Sequence, residues 1–133
     1  MEYKFTIYGD PKTKKNSQRV VMCGKYPKIL QSKEYIAYEK LAVAQLLKAV
    51  ETQTASAFSP IKTPVNVCAV YYRQTHRQVD LTNLESALMD ILVKAEILQD
   101  DNCKIVVSTD GSRVQFDKNC PRTEITITDS EDI

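Results

Sequence analysis

The sequence has few of the residues that mark several protein classes. Its 133 residues include no tryptophan, one histidine, three glycines and five prolines, which is too little glycine and proline for a collagen-like or low-complexity chain. With 43% hydrophobic residues, the composition also excludes an intrinsically disordered protein. No apolar run approaches the ~18 residues of a membrane helix, and residues 1–4 lack the apolar segment of a signal peptide. We therefore expect a globular protein in the cytoplasm, with no membrane contact.

The cysteines do not form a metal-binding pattern. They include no C-x-x-C pair, and His76 is the only histidine that could complete a site, so a zinc centre is disfavoured. The four residues are Cys23, Cys68, Cys103 and Cys120. We expect reduced, partly buried thiols.

The length and the hydrophobic pattern predict one small α+β domain over residues 1–133, because ~100 to 200 residues make one domain of ordinary size. The predicted order is strand, hairpin, helix, strand, helix and two strands, with a mixed sheet and two main helices. The predicted bounds are 3–8, 20–23 with 27–30, 32–50, 64–73, 81–95, 104–109 and 122–128. Gly24 supplies the positive φ of the hairpin turn. The acidic end, residues 129–133, is predicted to fray.

Both predicted helices carry apolar residues at helical spacing. Ser32 can cap the first helix, whose apolar positions are Ile36, Leu41, Val43, Leu46, Leu47 and Val50. The second helix has one apolar stripe, formed by Leu81, Leu84, Leu88, Ile91, Leu92 and Ala95. Thr82 and Glu85 have the spacing of a capping box, which predicts that the Thr82 hydroxyl caps the second helix.

The net charge of +1 conceals an uneven distribution along the chain. Residues 1–79 carry 13 basic and 5 acidic side chains, a net charge of +8, whereas residues 80–133 carry 5 basic and 12 acidic ones, a net charge of −7. An enzyme that acts on nucleic acid with a metal ion would show this asymmetry, because phosphates bind cations and divalent metals bind carboxylates. Chance segregation of solvated charge is the alternative.

Four acidic residues lie where a reaction centre could form. Asp80 stands at the start of the second helix, Asp90 lies on its polar face, and Asp100 and Asp101 follow it. Asp80 and Asp90 are about 15 Å apart along a straight helix, so they do not ligate one ion directly. Asp101 can approach Asp80 if the chain returns beside the preceding strand. Alternatively, Asp80 is a helix-entry acid favoured by the macrodipole, and Asp100 and Asp101 form a turn.

Convergence of Asp80 and Asp101, with Asp100 beside them, would create a site of hard oxygen ligands. Such sites suit Mg²⁺, with Mn²⁺ as a substitute, and leave positions for water and substrate phosphate. A metal ion there would lower the pKa of an attacking water and stabilise the leaving oxygen of a phosphodiester. Spacing alone does not decide between this site and the helix-entry alternative.

The order of the motifs resembles the RusA-type Holliday junction resolvases, endodeoxyribonucleases common in phages and prophages. The central matching residues are Asp80-Leu81-Thr82-Asn83-Leu84, Asp90-Ile91-Leu92, Lys94-Ala95 and Asp100-Asp101. Gly9-Asp10-Pro11-Lys12, Gly111-Ser112-Arg113 and Pro121-Arg122-Thr123-Glu124-Ile125 match towards the ends. The resemblance implies a RusA-like fold and a homodimer that binds four-way DNA junctions in recombination and repair, making two symmetric Mg²⁺-dependent nicks. It also implies that Asp80 is the first essential aspartate and Asp101 the last.

Two positions depart from the family pattern. Thr82 stands in place of a second acid, and Ser86 in place of a lysine. Thr82 cannot supply a charged ligand, although its hydroxyl or the Asn83 amide can orient a metal-bound water or cap the helix. For Asp90 the resemblance implies a supporting catalytic role, and the alternative is an ion pair with Lys94, four residues later.

Basic residues are predicted to contact the DNA backbone without reading bases. They are Lys12, Lys14, Lys15, Arg19, Lys25, Arg73 and Arg77. Two other functions remain open from the sequence. One is a branched-DNA-binding module that does not cleave, which Thr82 and Ser86 favour. The other is an interaction protein whose acidic residues only cap a helix and form turns.

Overall fold

The structure of the protein is a computed structural model that describes residues 1–14, 18–54 and 58–130, and of residues 18–21 and 29 only the backbone. The described ranges form two helices and a mixed sheet, which confirms the predicted α+β class. In chain order the elements are β1 (Glu2–Tyr8), β2 (Gln18–Cys23), β3 (Tyr26–Gln31), α1 (Lys33–Gln53), β4 (Val65–Arg73), α2 (Leu81–Lys94), β5 (Val106–Ser108), β6 (Arg113–Phe116) and β7 (Arg122–Asp129). Neither helix in these ranges has the length and apolar content needed to cross a bilayer.

β4 is the central strand of the main sheet, as predicted. It pairs antiparallel with β7, which pairs antiparallel with β1 on its other side. On its opposite edge β4 pairs in parallel with β5 near its start and with β6 at its end. Phe5, Ile125 and Ala69 are therefore neighbours across three strands, and all three side chains are buried.

The strands on the far side of β4 differ most from the predicted ones. β6 is not among the predicted strands. Its four residues, Arg113–Phe116, alternate polar and apolar side chains, but the run is short and all four residues are exposed. β5 covers three residues instead of the predicted 104–109. A turn shortens it, because the Asn102 carbonyl accepts hydrogen bonds from the Ile105 and Val106 amides at 3.0 and 2.9 Å.

β2 and β3 form the predicted hairpin, which is a separate two-stranded sheet. Their antiparallel pairing ends at Cys23 and Tyr26, so the connecting loop is two residues long. Its first residue, Gly24, has a φ of +65°, which glycine adopts without a steric penalty. The second, Lys25, is exposed at the tip.

Both helices pack on one face of the main sheet. Val65, Val67, Ala69 and Tyr71 are the buried residues of β4, in strict alternation. α2 covers them with most of the predicted stripe, burying Leu84, Leu88, Ile91 and Leu92. One hydrophobic cluster joins these residues with side chains of β1, β7 and α1. This packing fixes α2 along the sheet and therefore fixes where its two ends lie.

The buried face of α1 differs from the predicted one. The start is as expected, because the Ser32 hydroxyl accepts a hydrogen bond from the Tyr35 amide at 3.0 Å. Tyr35, Ala42 and Leu46 are buried, whereas Ile36, Leu41 and Leu47 are exposed. The prediction counted only the larger aliphatic residues and left out Tyr35 and Ala42, so it rotated the apolar face away from the sheet.

The predicted capping box of α2 is wrong. The helix begins at Leu81 with Asp80 as the N-cap residue, so Thr82 lies inside the first turn. A capping box requires the threonine at the N-cap itself. The hydroxyl of Thr82 is therefore not the cap of this helix.

The predicted fraying does not begin at Asp129, which is the last residue of β7. Its carboxylate lies 2.7 Å from the Met1 amino group. The following amide, of Ser130, donates to the Pro64 carbonyl oxygen at 3.0 Å. These contacts tie both residues to neighbouring strands, while residues 131–133 lie outside the described ranges.

Candidate active site

Asp80 lies at the N-terminal end of α2, just after the end of β4, and its side chain is exposed. Its carbonyl oxygen accepts hydrogen bonds from the Asn83 and Leu84 amides at 3.1 and 3.2 Å, which start the helix. The carboxylate makes no capping hydrogen bond, and among the described residues its one hydrogen bond comes from the Asn83 side-chain amide, at 3.3 Å. A capping role therefore does not explain this aspartate, and its carboxylate is open to an ion.

Thr82 and Asn83 occupy the first turn of α2 beside Asp80. Thr82 is exposed and Asn83 is partly buried. The hydrogen bond from the Asn83 side-chain amide restrains the Asp80 carboxylate beside this turn. The predicted supporting roles of Thr82 and Asn83 remain predictions, although both lie on the turn that such roles require.

Asp100 is part of a turn beyond the C-terminal end of α2. One carboxylate oxygen accepts from the Asp101 amide at 2.8 Å and the other from the Asn102 side-chain amide at 3.0 Å. These hydrogen bonds, the one from Asn102 above all, hold the pKa of Asp100 below its ordinary value. Asp101 is exposed beside it. Asp100 therefore fits the alternative in which this residue forms a turn, and the carboxylate of Asp101 is the more available one for a metal ion.

The structure places Asp80 and Asp101 at opposite ends of the β4–α2 unit. α2 has 14 residues and is therefore about 21 Å long. The segment that follows it is held beside the start of β4, because the Gln99 amide donates to the Ile61 carbonyl oxygen at 3.0 Å and the Val65 amide to the Ile105 carbonyl oxygen at 2.7 Å. The return of the chain that could bring Asp101 to Asp80 does not occur within one subunit.

Asp90 does not form the ion pair with Lys94 that the sequence left open. Its carboxylate accepts a hydrogen bond from the Lys14 ammonium group, and Lys94 instead contacts Glu39 at 2.6 Å. Asp90 lies ten residues along the helix from Asp80, about 15 Å away. Asp90 therefore holds the basic segment of residues 11–14 against α2. This ion pair also occupies the charge of Lys14, which is one of the predicted DNA contacts.

Three other predicted DNA contacts gather just before Asp80. Lys12, Arg73 and Arg77 line one cavity of about 250 Å³. The Arg73 guanidinium, only 14% exposed, donates to the Arg77 carbonyl oxygen at 3.3 Å and lies 3.9 Å from the Asp10 carboxylate. Arg77 is exposed and, within the described ranges, lies in no ion pair, so its charge is available to a phosphate.

The remaining predicted cations lie elsewhere. Lys25 is at the tip of the hairpin, away from the main sheet. Lys15 falls outside the described ranges, and of Arg19 only the backbone is described. Their contacts with DNA remain predictions.

Asp10 positions the segment that leads to Asp80, and sequence reasoning missed it. Its Oδ1 accepts from the Gln74 amide at 2.8 Å, and its Oδ2 lies 3.7 Å from the Lys12 ammonium group. Asp10 therefore ties the start of the β4–α2 connection to the end of β1. The Gly9-Asp10-Pro11 turn was the only sequence signal, and it reveals nothing of a partner 64 residues away.

Glu85 neither caps α2 nor faces solvent freely. Burial raises the pKa of its carboxyl group, and a hydrogen bond with Ser112 partly opposes that effect. Burial of Tyr71 raises the pKa of that side chain, and the nearby charge of Glu85 raises it further. Glu85 is therefore partly buried and engaged with Ser112, whereas Asp80 is exposed.

A sequence model of the family described as endodeoxyribonuclease RusA matches residues 9–128, which is nearly the whole chain. The chain belongs to this family. It is an endodeoxyribonuclease of the Holliday junction resolvase type, which acts on branched DNA in recombination. No match was found among curated proteins.

Nucleases of this family generally depend on a divalent metal, and the donor chemistry here is suitable. The carboxylates of Asp80 and Asp101 are hard oxygen ligands. Within the described ranges, however, no group of three or more histidine, cysteine or acidic side chains is close enough to hold an ion. One subunit thus supplies the right kind of ligand at two separate places.

Proposed function

We propose that the protein is a homodimer that resolves four-way DNA junctions with two symmetric, Mg²⁺-dependent nicks. The observation that carries this proposal is the separation of Asp80 and Asp101 by the length of α2. A two-fold axis near the middle of this helix would set two copies antiparallel and place each Asp80 beside Asp101 of the partner subunit. Two equivalent sites would result, as two symmetric cuts require.

In this proposal the residues at the start of α2 meet the scissile phosphate. Asp80 and Asp101 of the partner subunit would hold the ion, while the Thr82 hydroxyl and the Asn83 amide orient water at that site. The metal supplies a water of lowered pKa and charge stabilisation for the leaving oxygen. Arg77 and Lys12 hold neighbouring phosphates without reading bases. The shape of the DNA rather than its base sequence then determines binding. The proposal places the protein in the cytoplasm, where its four cysteines are free thiols.

A labelled synthetic four-way junction, incubated with Mg²⁺ or with EDTA, tests the activity. We expect nicks in opposing strands with Mg²⁺ and none with EDTA, and Asp80→Asn should bind the junction without cutting it. Binding without any Mg²⁺-dependent product would favour the alternative, a branched-DNA-binding module, which the uncharged Thr82 and Ser86 support. Undiminished nicking by Asp80→Asn would overturn the site.

Mixing two inactive variants tests whether the site is shared between subunits. In a heterodimer of Asp80→Asn and Asp101→Asn, one shared site keeps both aspartates and the other loses both. An equal mixture should therefore recover about a quarter of the wild-type nicking, because about half of the dimers are mixed and each has one intact site. If both aspartates served the same subunit's site, the mixture would stay inactive. Each variant incubated alone is the control.

A further inference from the structure

An exposed pair of stacked rings lies beside the candidate active site. The rings of His76 and Phe116 stack with their centroids 3.8 Å apart and their planes 26° from parallel. His76 belongs to the connection that leads to Asp80, and Phe116 ends β6, where it pairs with Arg73 in the sheet. Phe116 is 43% exposed. We call this pair the His76–Phe116 ledge.

The ledge borders a cavity of about 300 Å³ that combines apolar and cationic walls. Val114 and Phe116 supply apolar surface, and Arg73 and Arg77 supply positive charge. No acidic side chain lines this cavity among the described residues. The volume is at the lower end of the ~300–1,000 Å³ of small-ligand sites, so the space suits one ring system rather than a folded partner.

We propose that the His76–Phe116 ledge stacks an unpaired base at the branch point of the DNA while Arg77 holds the adjacent phosphate. Aromatic rings beside cations bind single-stranded nucleotides in this way, because every base has a face that can stack and every nucleotide a charge to neutralise. This proposal rests on the proposed function and adds a reason for preferring branched over linear DNA. A second copy of the chain is a poorer occupant, because it would bring like charges together.

A tryptophan substitution gives a direct probe, since the chain has no tryptophan of its own. Phe116→Trp keeps an aromatic ring on the ledge and introduces a single fluorophore. Leu47→Trp is the matched control, because Leu47 is also an exposed apolar residue, 46% accessible, but lies in α1 next to Lys48 and does not line either cavity. Each variant is titrated with a four-way junction and with a linear duplex, with Ca²⁺ replacing Mg²⁺ to slow cleavage. Anisotropy of a labelled junction measures binding independently.

We expect the junction to quench most of the fluorescence of Phe116→Trp and the linear duplex to leave it nearly unchanged. Leu47→Trp should be insensitive to both. Full binding by anisotropy with no quenching at position 116 overturns the base-stacking proposal and leaves the proposed function standing. Failure of the wild-type protein to bind the junction overturns both.

A second variant tests the contribution of the ring to specificity. Phe116→Leu removes the aromatic face but keeps apolar volume, so it should weaken junction binding about fivefold or more, the value of one stacked base. Its affinity for linear duplex should not change, and Phe116→Trp should keep the wild-type preference. An equal loss for both DNAs, or no loss for either, would count against base stacking.

Discussion

The two ends of α2 both present aspartates, but in different surroundings. At the N-terminal end the Asp80 carboxylate is exposed, makes no capping bond, and lies near arginine side chains that line an open cavity. At the C-terminal end Asp100 is held in a turn by two hydrogen bonds, and Asp101 is exposed beside it. One end therefore combines an exposed carboxylate with arginine side chains, and the other presents two neighbouring carboxylates.

Under the proposed function, neither end is a complete nuclease site by itself. Phosphodiester cleavage needs a metal ligand set together with cations that hold the backbone. The two parts are separated by about 21 Å of helix within one subunit, and the hydrophobic face of α2 fixes that separation. In the proposed homodimer, association of two chains would bring them together, and each prediction below tests one of the two ends.

The largest effect is expected when the two neighbouring aspartates at the C-terminal end are substituted one at a time. Asp101→Asn should reduce junction nicking about 100-fold or more, because a metal ion supplies several kcal/mol of transition-state stabilisation. Asp100→Asn should cost much less, since its present hydrogen bonds serve the turn. Single-turnover nicking rates measure both, with junction affinity as the control for folding. A larger loss of nicking for Asp100→Asn than for Asp101→Asn would identify Asp100, rather than Asp101, as the metal ligand.

A smaller effect is expected from the cation at the N-terminal end. Arg77→Ala should weaken binding to any branched DNA and lower the slope of log affinity against log salt by about one, the value of one phosphate contact. Lys48→Ala, on an exposed part of α1, is the control and should leave the slope unchanged. Equal slopes for the two variants would mean that the Asp80 end does not bind phosphate.

Much of the fold could be predicted because its main elements bury one regular face. β4, β7 and the stripe of α2 have clear periodicity, and the Gly24 turn marks the hairpin. β6 was missed because its polar-apolar alternation covers only four residues, and its pairing with β4 is not visible in the sequence. The face of α1 was wrong because burial of Tyr35 and Ala42 depends on where the helix meets the sheet.

The candidate site was predictable in its residue types but not in its geometry. Motifs located Asp80 and Asp101 and the basic residues near them, yet chain spacing does not reveal that the two aspartates lie at opposite ends of one packed helix. The links from Asp10 to Gln74 and from His76 to Phe116 join residues far apart in the chain. Such contacts follow from strand order, which a single sequence does not determine.

The smallest effect is expected from Glu85, the acidic residue near Asp80 that we place outside the site. Burial raises the pKa of its carboxyl group, so the folded state favours the protonated form. The stability that Glu85 contributes is then full below its ordinary pKa of 4.5 and is lost as pH rises through the raised value. Glu85→Gln avoids that loss and should raise Tm at pH 7 by about 1–3 °C, with a smaller difference at pH 4.

Thermal unfolding at both pH values measures this difference, and Glu51→Gln, an exposed acid at the end of α1, is the control that should show none. Junction nicking by Glu85→Gln should remain at the wild-type rate, because this carboxyl group is partly buried and engaged with Ser112. A large loss of nicking with normal binding would instead make Glu85 a metal ligand. The N-terminal end of α2 would then supply two carboxylates, and the contrast between the two ends would rest on the cations alone.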